Sequence, residues 1–499
     1  MNTGVDQGPG TRDGPGTRDG PGTRDGPGTR DRGPGTRIAA AILVAGLAAI
    51  YLPDVGHGFV KDDFGWVARS QLDSWPHAAR TLIEAPTGFF RPLVSLTFGL
   101  DRLVCGVRPF CYGVTNFVLL LGCVIGIGAL ASGLGLPPAT GVVAAALWAF
   151  NFHGINMAVV WISGRTALVL TLCATAGAAA FARGWFVSAA TLVLAAMLAK
   201  EEGIVLPAVL IGWTVITRVR GHGHDVPPES HPAGQTSVRA VLLLLVALAT
   251  YLVARSTSGA FTPTSAPAYY QLDFSLDRFL SNALQYADRA LTLDAAALVA
   301  FALVARPNRV AATFLEMTSP ERHALALGLL WLVGGFALTV FLPVRSSLYA
   351  CFPSVGASLV TAAILSAAWR AAPRTGQTRA AVIALVVPFL LWPVYHARNR
   401  RSVEEAELSA SVIDTLKQVN ASRPSPSVIL LKDDRSARPS LDAAFGTLLQ
   451  EAVELTVGPG QKVWMDPPPT FAAAAGLGPP PHPDVVLELR AGRLHSREP

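Results

Sequence analysis

From Ile38 to about residue 395 the chain is a succession of apolar runs, and this constrains its fold more than any other feature. The 358 residues between the two termini, 38 to 395, hold 22 basic and 16 acidic side chains. Over the whole chain 15% of residues are charged and 51% hydrophobic, with a mean hydropathy of +0.41. An ordinary soluble domain carries roughly 25% charge, so the composition argues against a soluble enzyme. Crossing about 30 Å of hydrocarbon takes roughly 20 apolar residues. On that basis we read about eleven transmembrane helices, near 38 to 53, 112 to 133, 138 to 152, 165 to 182, 184 to 199, 203 to 217, 239 to 255, 290 to 306, 324 to 342, 353 to 369 and 379 to 395.

Orientation follows from the arginines in short loops. Arg218, Arg220 and Arg239, then Arg306 and Arg309, then Arg370, Arg374 and Arg379 fall on one side, which we take as cytoplasmic together with the N-terminus. The large first loop, 54 to 111, and the segments 153 to 164, 256 to 289 and 343 to 352 then face outward, as does the C-terminal stretch 396 to 499. Arg398, Arg400 and Arg401 after the last span pull the other way and leave an even span count open. Residues 1 to 37 contain GPGTRD four times in succession, a Gly/Pro-rich repeat that cannot bury a core and reads as a disordered tail. Residues 396 to 499 read as a small soluble α/β appendage. It has a helix at Val403 to Val419, a strand at Ser427 to Lys432, a helix near Leu441 to Glu454 and a last strand at Asp484 to Leu489. None of the five cysteines forms a CxxC pair; Cys105 and Cys111 could join in an oxidising compartment. The pI near 9.2 reflects membrane-flanking arginine, and no nucleic-acid partner is implied.

Ionisable groups beside membrane spans are costly and mark function. Four clusters fall at the outer face. Asp62 and Asp63 follow the first span; two loop carboxylates can supply a base and its orienting partner, or share a metal. Residues 89 to 101 contain Arg91, and Leu93, Leu96, Leu100 and Leu103 repeat at helical spacing, as in an amphipathic helix lying in the interface. Trp161 to Arg165 and, two spans on, Lys200-Glu201-Glu202 place cations where a lipid phosphate could meet them, although simple snorkelling accounts equally for either alone. Arg345 and Tyr349 form the fourth cluster.

In this order the clusters resemble the GT-C superfamily of polytopic glycosyltransferases, especially bacterial relatives of the O-mannosyltransferases that carry tetratricopeptide repeats. The likeness rests on the Asp62-Asp63 pair and the RPL-x-x-L-T block from Arg91 with Asp101. It continues through Gly106, Pro109, Tyr112, Thr115 and Asn116, the WISGR block Trp161 to Arg165, Lys200-Glu201, and Arg345, Tyr349, Pro353 and Ser354. It spans about residues 38 to 395. The chain departs from the pattern at Met157, near the place of a glutamate that relatives carry in an HP-x-x-x-E stretch, here begun by His153, and at Thr166-Ala167.

The resemblance implies a GT-C-like fold in a bacterial inner membrane with a periplasmic active site. It implies transfer of a hexose, mannose-like, from a polyprenyl-phosphate donor to a hydroxyl on a protein or lipid-linked glycan, hence protein glycosylation or cell-envelope assembly. The catalytic expectation is Asp62 or Asp63 as base, the two left undistinguished, with Lys200, Arg165 and Arg345, in that order, on the donor phosphate. Arg91, Glu201, Tyr349 and His153 are further site candidates. No cofactor is required; a divalent metal is optional and finds no support in nearby histidines. A transporter or flippase of a lipid-linked glycan, and a catalytically inactive relative, are the alternatives; convergence of the cations beside Asp62 and Asp63 separates the first from an enzyme.

Overall fold

The computed structural model of the protein describes residues 34–85, 88–221, 235–262, 264–305, 316–422, 427–433, 438–472, 478, 481–490 and 492–496. The repeat tail up to residue 33, and Arg306 and Arg309, lie outside them. The chain opens with α1 (Pro34–Tyr51), followed by three helices of the first loop, α2 (Asp62–Arg69), α3 (Trp75–Ile83) and α4 (Pro92–Cys105). Then come α5 (Pro109–Gly133), α6 (Pro138–Ala149), α7 (Gly154–Val160), α8 (Arg165–Ala182), α9 (Phe186–Ala199), α10 (Leu206–Gly221) and α11 (Gln235–Thr257). The bundle is completed by α12 (Leu276–Ala305), α13 (Ser319–Phe336), α14 (Ser354–Ala371) and α15 (Arg374–Ser422).

Each of the eleven apolar runs is predominantly helical, but fewer meet the requirement for a full crossing. Seven spans among the described residues are long and apolar enough, and the α6–α7 pair, bent by 72°, makes an eighth if counted as one. The remainder fall short for visible reasons. Helices α9 and α10 have only 14 and 16 residues, and α12 carries Asp277, Arg278, Asp288, Arg289 and Asp294. At the α6–α7 bend the freed backbone carbonyls find donors, as they must away from water. The Tyr395 hydroxyl donates to the Phe150 carbonyl, and Arg398 Nη1 to that of Phe152 at 2.9 Å.

Helices α13 and α14 cross at glycine. A Cβ on Gly356 would stand 2.4 Å from the Gly328 carbonyl oxygen and 2.5 Å from the Leu332 nitrogen, so the two backbones approach as only small residues permit. In the first loop, α4 buries Val94, Ser95, Phe98 and Gly99 and turns Leu100 and Leu103 outward. Pro92 opens it and Gly106, at φ +61°, closes it. Cys105 and Cys111 are joined by a disulfide at the end of that loop.

The last membrane helix does not stop at residue 395. Helix α15 runs on to Ser422 and carries the chain into a four-stranded sheet of β1 (Val428–Lys432), β2 (Lys462–Asp466), β3 (Val485–Arg490) and β4 (Arg493–Ser496), in the order β2-β1-β3-β4. Strand β1 is parallel to β2 and β3, and β4 pairs antiparallel to β3. The helix expected near Leu441 to Glu454 is two, α16 (Leu441–Phe445) and α17 (Leu449–Thr456), broken at Gly446 with φ +51°. This C-terminal domain rests on the first loop. The Lys61 amide donates to the Ala444 carbonyl at 2.8 Å, Phe64 stacks on Phe445 at 5.7 Å, and Arg69 pairs with Glu451 at 3.2 Å.

Substituting Gly356→Val should drive α13 and α14 apart at a cost of about 1–3 kcal/mol. The expected outcome is a lowered thermal unfolding midpoint of the detergent-solubilised protein, with Gly35→Ala, where a Cβ meets nothing within 4 Å, as the silent control.

Candidate active site

Asp62 and Asp63 open α2 directly after Lys61, whose φ of +48° is the one positive value at a non-glycine among the described residues. Carboxylates in the first turn are favoured by the helix dipole. The turn points the two side chains in different directions and gives them different surroundings. Asp63 is fully buried. Its Oδ1 accepts from the Ser163 amide at 2.7 Å and from the Ser163 hydroxyl, and its Oδ2 accepts from the Val60 amide at 2.9 Å. Burial pushes its pKa up to about 7 against those hydrogen bonds. Asp62 keeps its side chain open to solvent. The protein wall around it still raises its pKa, opposed by the charges of Arg91, Lys61 and Arg69.

The other clusters close on the same face. Arg91, the residue before α4, forks onto Glu201, with Nε 3.0 Å and Nη2 2.7 Å from Oε2. Arg255 at the end of α11 approaches the same carboxylate at 3.7 Å. Burial would raise the Glu201 pKa, but these two guanidinium groups, Arg91 foremost, bring it below its ordinary value. Lys200 is 3% exposed, pairs with Glu202 at 2.7 Å and stands 4.9 Å from the Tyr349 ring. Contacts therefore run from the Asp62-Asp63 turn to WISGR, from α4 to the Lys200-Glu201 segment, and from that segment to Tyr349.

Arg345 is exposed and oriented: its Nε donates to Asn282 Oδ1 at 2.7 Å and its Nη2 to Ser281 Oγ at 2.9 Å. Among the described residues no carboxylate lies within 4 Å of it. Arg165, by contrast, is wholly buried. It pairs with Asp101 at 2.7 Å, donates to Asn116 Oδ1 at 3.0 Å and to the Tyr112 carbonyl at 2.9 Å, and lies 4.1 Å over the Phe98 ring. The expectation that Arg165 meets a donor phosphate is therefore corrected: every direction around the guanidinium is occupied by protein. His153 also stands apart, in the α6–α7 bend, with its Nδ1 3.4 Å from Arg398 Nη2.

The site includes residues that the sequence reading did not single out. Tyr269 and Tyr270 lie within electrostatic reach of Asp62, and the ring of Phe471 from the C-terminal domain packs 4.9 Å from Tyr269. The signal for Tyr269-Tyr270 was an aromatic pair in an outward loop, which alone says nothing of its neighbours. Asp101, Thr115 and Asn116 belong to blocks quoted above, but their work is structural: Thr115 donates to Asp101 at 2.7 Å, and the Asn116 amide faces the carbonyls of Val159, Trp161 and Ile162 at 3.2 Å. Among the described residues no group of three or more His, Cys, Asp or Glu stands together as a metal site would require.

No family model and no curated protein matches the sequence. Among solved structures the chain is similar to the crystal structure of ArnT from Cupriavidus metallidurans bound to undecaprenyl phosphate, at 14% identity over 86% of each chain with a TM-score of 0.49. A likeness of that size leaves the function to be argued from the residues of this chain.

Two outcomes follow from this geometry. Breaking a buried ion pair from one side costs about 3–5 kcal/mol, so Arg165→Met and Asp101→Ala should each lower the unfolding midpoint strongly. The double variant should lose less than the sum, because each single variant strands the other charge. For Asp63, a folded pKa of about 7 lies above the unfolded value of about 3.9. Its contribution to stability is fully present below pH ~4 and lost as pH rises through ~7. Unfolding midpoints recorded from pH 4 to 8 should show that downward slope in the wild type and a flatter profile in Asp63→Asn.

Proposed function

We propose that the protein is a membrane glycosyltransferase of the GT-C type that moves a hexose, mannose-like, from a polyprenyl phosphate to a hydroxyl of a protein or a lipid-linked glycan. The observation that carries this reading is that Arg91, Lys61 and Arg69 surround the solvent-open Asp62, and that contacts lead on from Arg91 to Glu201 and from the adjacent Lys200 to Tyr349. A transporter would instead distribute such groups near mid-membrane in repeated, broken helices.

The chemistry follows from the division of roles. Asp62, open to solvent, is the general base that takes the acceptor O–H proton. Asp63, which accepts three hydrogen bonds, is its positioning partner. As the acceptor oxygen bonds to the anomeric carbon, the bond from that carbon to the donor phosphate breaks and its electron pair leaves with the phosphate. A single displacement of this kind inverts configuration through an oxocarbenium-like state. The departing phosphate needs fixed positive charge. Arg345, exposed and aimed by Asn282 and Ser281, is best disposed to provide it, with Lys200 behind it beside Tyr349. Arg91 and Glu201 hold the wall between them. The leaving group is already a phosphate, so no acid catalyst is needed.

The membrane setting has its own support. A disulfide at Cys105 and Cys111 suits an oxidising compartment, and it closes the loop that carries Asp62. It supports a site on the periplasmic face of a bacterial inner membrane, with the C-terminal domain, packed on the same loop, on that side as well.

Membranes incubated with labelled polyprenyl-phosphate hexoses should transfer label, and Asp62→Asn should reduce the rate at least ~100-fold, in line with loss of a general base. Full transfer by Asp62→Asn would remove Asp62 from the reaction. Because the pKa of Asp62 is raised by its surroundings and Lys61 opposes that rise, the acid limb of kcat/KM should lie above the ordinary carboxylate range. Lys61→Gln should move it further up, measured as the pH of half-maximal kcat/KM.

A further inference from the structure

A second group of cations lies away from Asp62, where the apolar parts of α12 and α15 end. Arg289 immediately precedes the apolar half of α12, and Arg398 follows the apolar part of α15 by three residues. His153 joins them from the α6–α7 bend. Arg398 is built into place: Nη1 donates to the Phe152 carbonyl at 2.9 Å, the guanidinium sits 5.4 Å over the Phe152 ring, and Nη2 meets His153 Nδ1 at 3.4 Å. A guanidinium can only donate, so Nδ1 accepts and the ring proton stands on Nε2, a further donor. Arg289 lies within electrostatic reach of both. Its Nη1 is buried without a hydrogen-bond acceptor, and its guanidinium stands 5.9 Å from the Tyr286 ring.

The charge of this group is poorly balanced. Asp288 is the carboxylate within reach of His153, and it is exposed and already accepts from Thr292 at 2.8 Å. On α15, Arg400 and Arg401 have their own partners in Glu404 and Glu405. On the remaining side Arg398 faces the phenols of Tyr51 and Tyr395, the latter donating to Phe150. Asp54 is held by Asn399 at 2.9 Å. Basic groups crowded together with a buried guanidinium N–H lacking an acceptor are what an anion relieves, and leaving such a donor unmet is costly.

We propose that Arg289, Arg398 and His153 form a binding site for a phosphate monoester at the seam of α12 and α15, at the depth of lipid head groups. Tyr286, within electrostatic reach of both Arg289 and Arg345 and edge-on to Tyr349 at 6.3 Å, stands between this group and the Lys200 and Arg345 region. The site's ligand chemistry is shared by a phosphate-headed lipid arriving sideways from the bilayer and by free phosphate from solution. The site does not depend on the proposed transfer reaction.

The test uses the full-length protein in neutral detergent, titrated with dioleoyl phosphatidate, with inorganic phosphate and with dioleoyl phosphatidylcholine, and read by native mass spectrometry. The wild type should retain a phosphate-bearing probe in preference to phosphatidylcholine. Arg289→Gln should weaken that retention by roughly tenfold or more, as expected for loss of a charged hydrogen-bond donor. Tighter retention of phosphatidate than of phosphate assigns the site to a lipid, and the reverse to a soluble ester. Arg379→Gln, an exposed arginine at the far end of α15, controls for net charge, and an unchanged unfolding midpoint for Arg289→Gln controls for folding. Equal retention by Arg289→Gln and wild type, or an equal loss in Arg379→Gln, overturns the proposal. If Arg289→Gln lowers the midpoint, Arg289→Lys decides: it keeps the charge but not the guanidinium fork, so retention between wild type and Gln upholds the site, and retention no better than Gln overturns it.

Discussion

A guanidinium with no exposure to water organises the seat of the first loop on the bundle. Arg165 begins α8 in the interior of the bundle, where an unpaired charge would be prohibitive. Its compensation comes from Asp101 on α4, Asn116 and the Tyr112 carbonyl on α5, and the face of Phe98. Each of these partners belongs to a different turn of the first loop or of the helix that follows it. Satisfying one buried charge therefore locks the loop onto the bundle, and with it the neighbouring Ser163, whose amide and hydroxyl hold Asp63.

The charged residues divide into two kinds by what surrounds them. Those that are saturated build the wall: Arg165 with Asp101, Arg91 with Glu201, Lys200 with Glu202, and Asp63 with Ser163 and Val60. Asp62 and Arg345 remain exposed. Adjacent residues fall on opposite sides of this division, as Asp62 and Asp63 do, because successive helical residues point about 100° apart. The C-terminal domain contributes to the same arrangement. It fixes the Lys61 turn through the Ala444 carbonyl and brings Phe471 against Tyr269, so a segment with no catalytic motif of its own borders the site.

Much of the helical framework was legible in the sequence, since hydrocarbon admits only backbones that satisfy themselves and the eleven apolar runs are helices. What length alone could not settle was which of them cross fully. Phe150 to His153 carries no proline, and its bend depends on donors from α15, some 240 residues away. In the C-terminal domain β1 and β3 were legible as short apolar runs. Strands β2 and β4 were not, because KVWMD buries only Val463 and Met465 and RLHS only Leu494, and both are strands by virtue of the neighbours they pair with.

By itself the sequence determined that the chain belongs in a membrane and that its scarce charges gather at the ends of apolar helices. Hydropathy and the cost of burying charge act locally, and so they are readable residue by residue. The tertiary structure alone decided which of those charges are neutralised. That depends on partners remote in sequence, such as Asp101 for Arg165 and Ser163 for Asp63, and a composition or a motif shows the charge without showing what stands beside it.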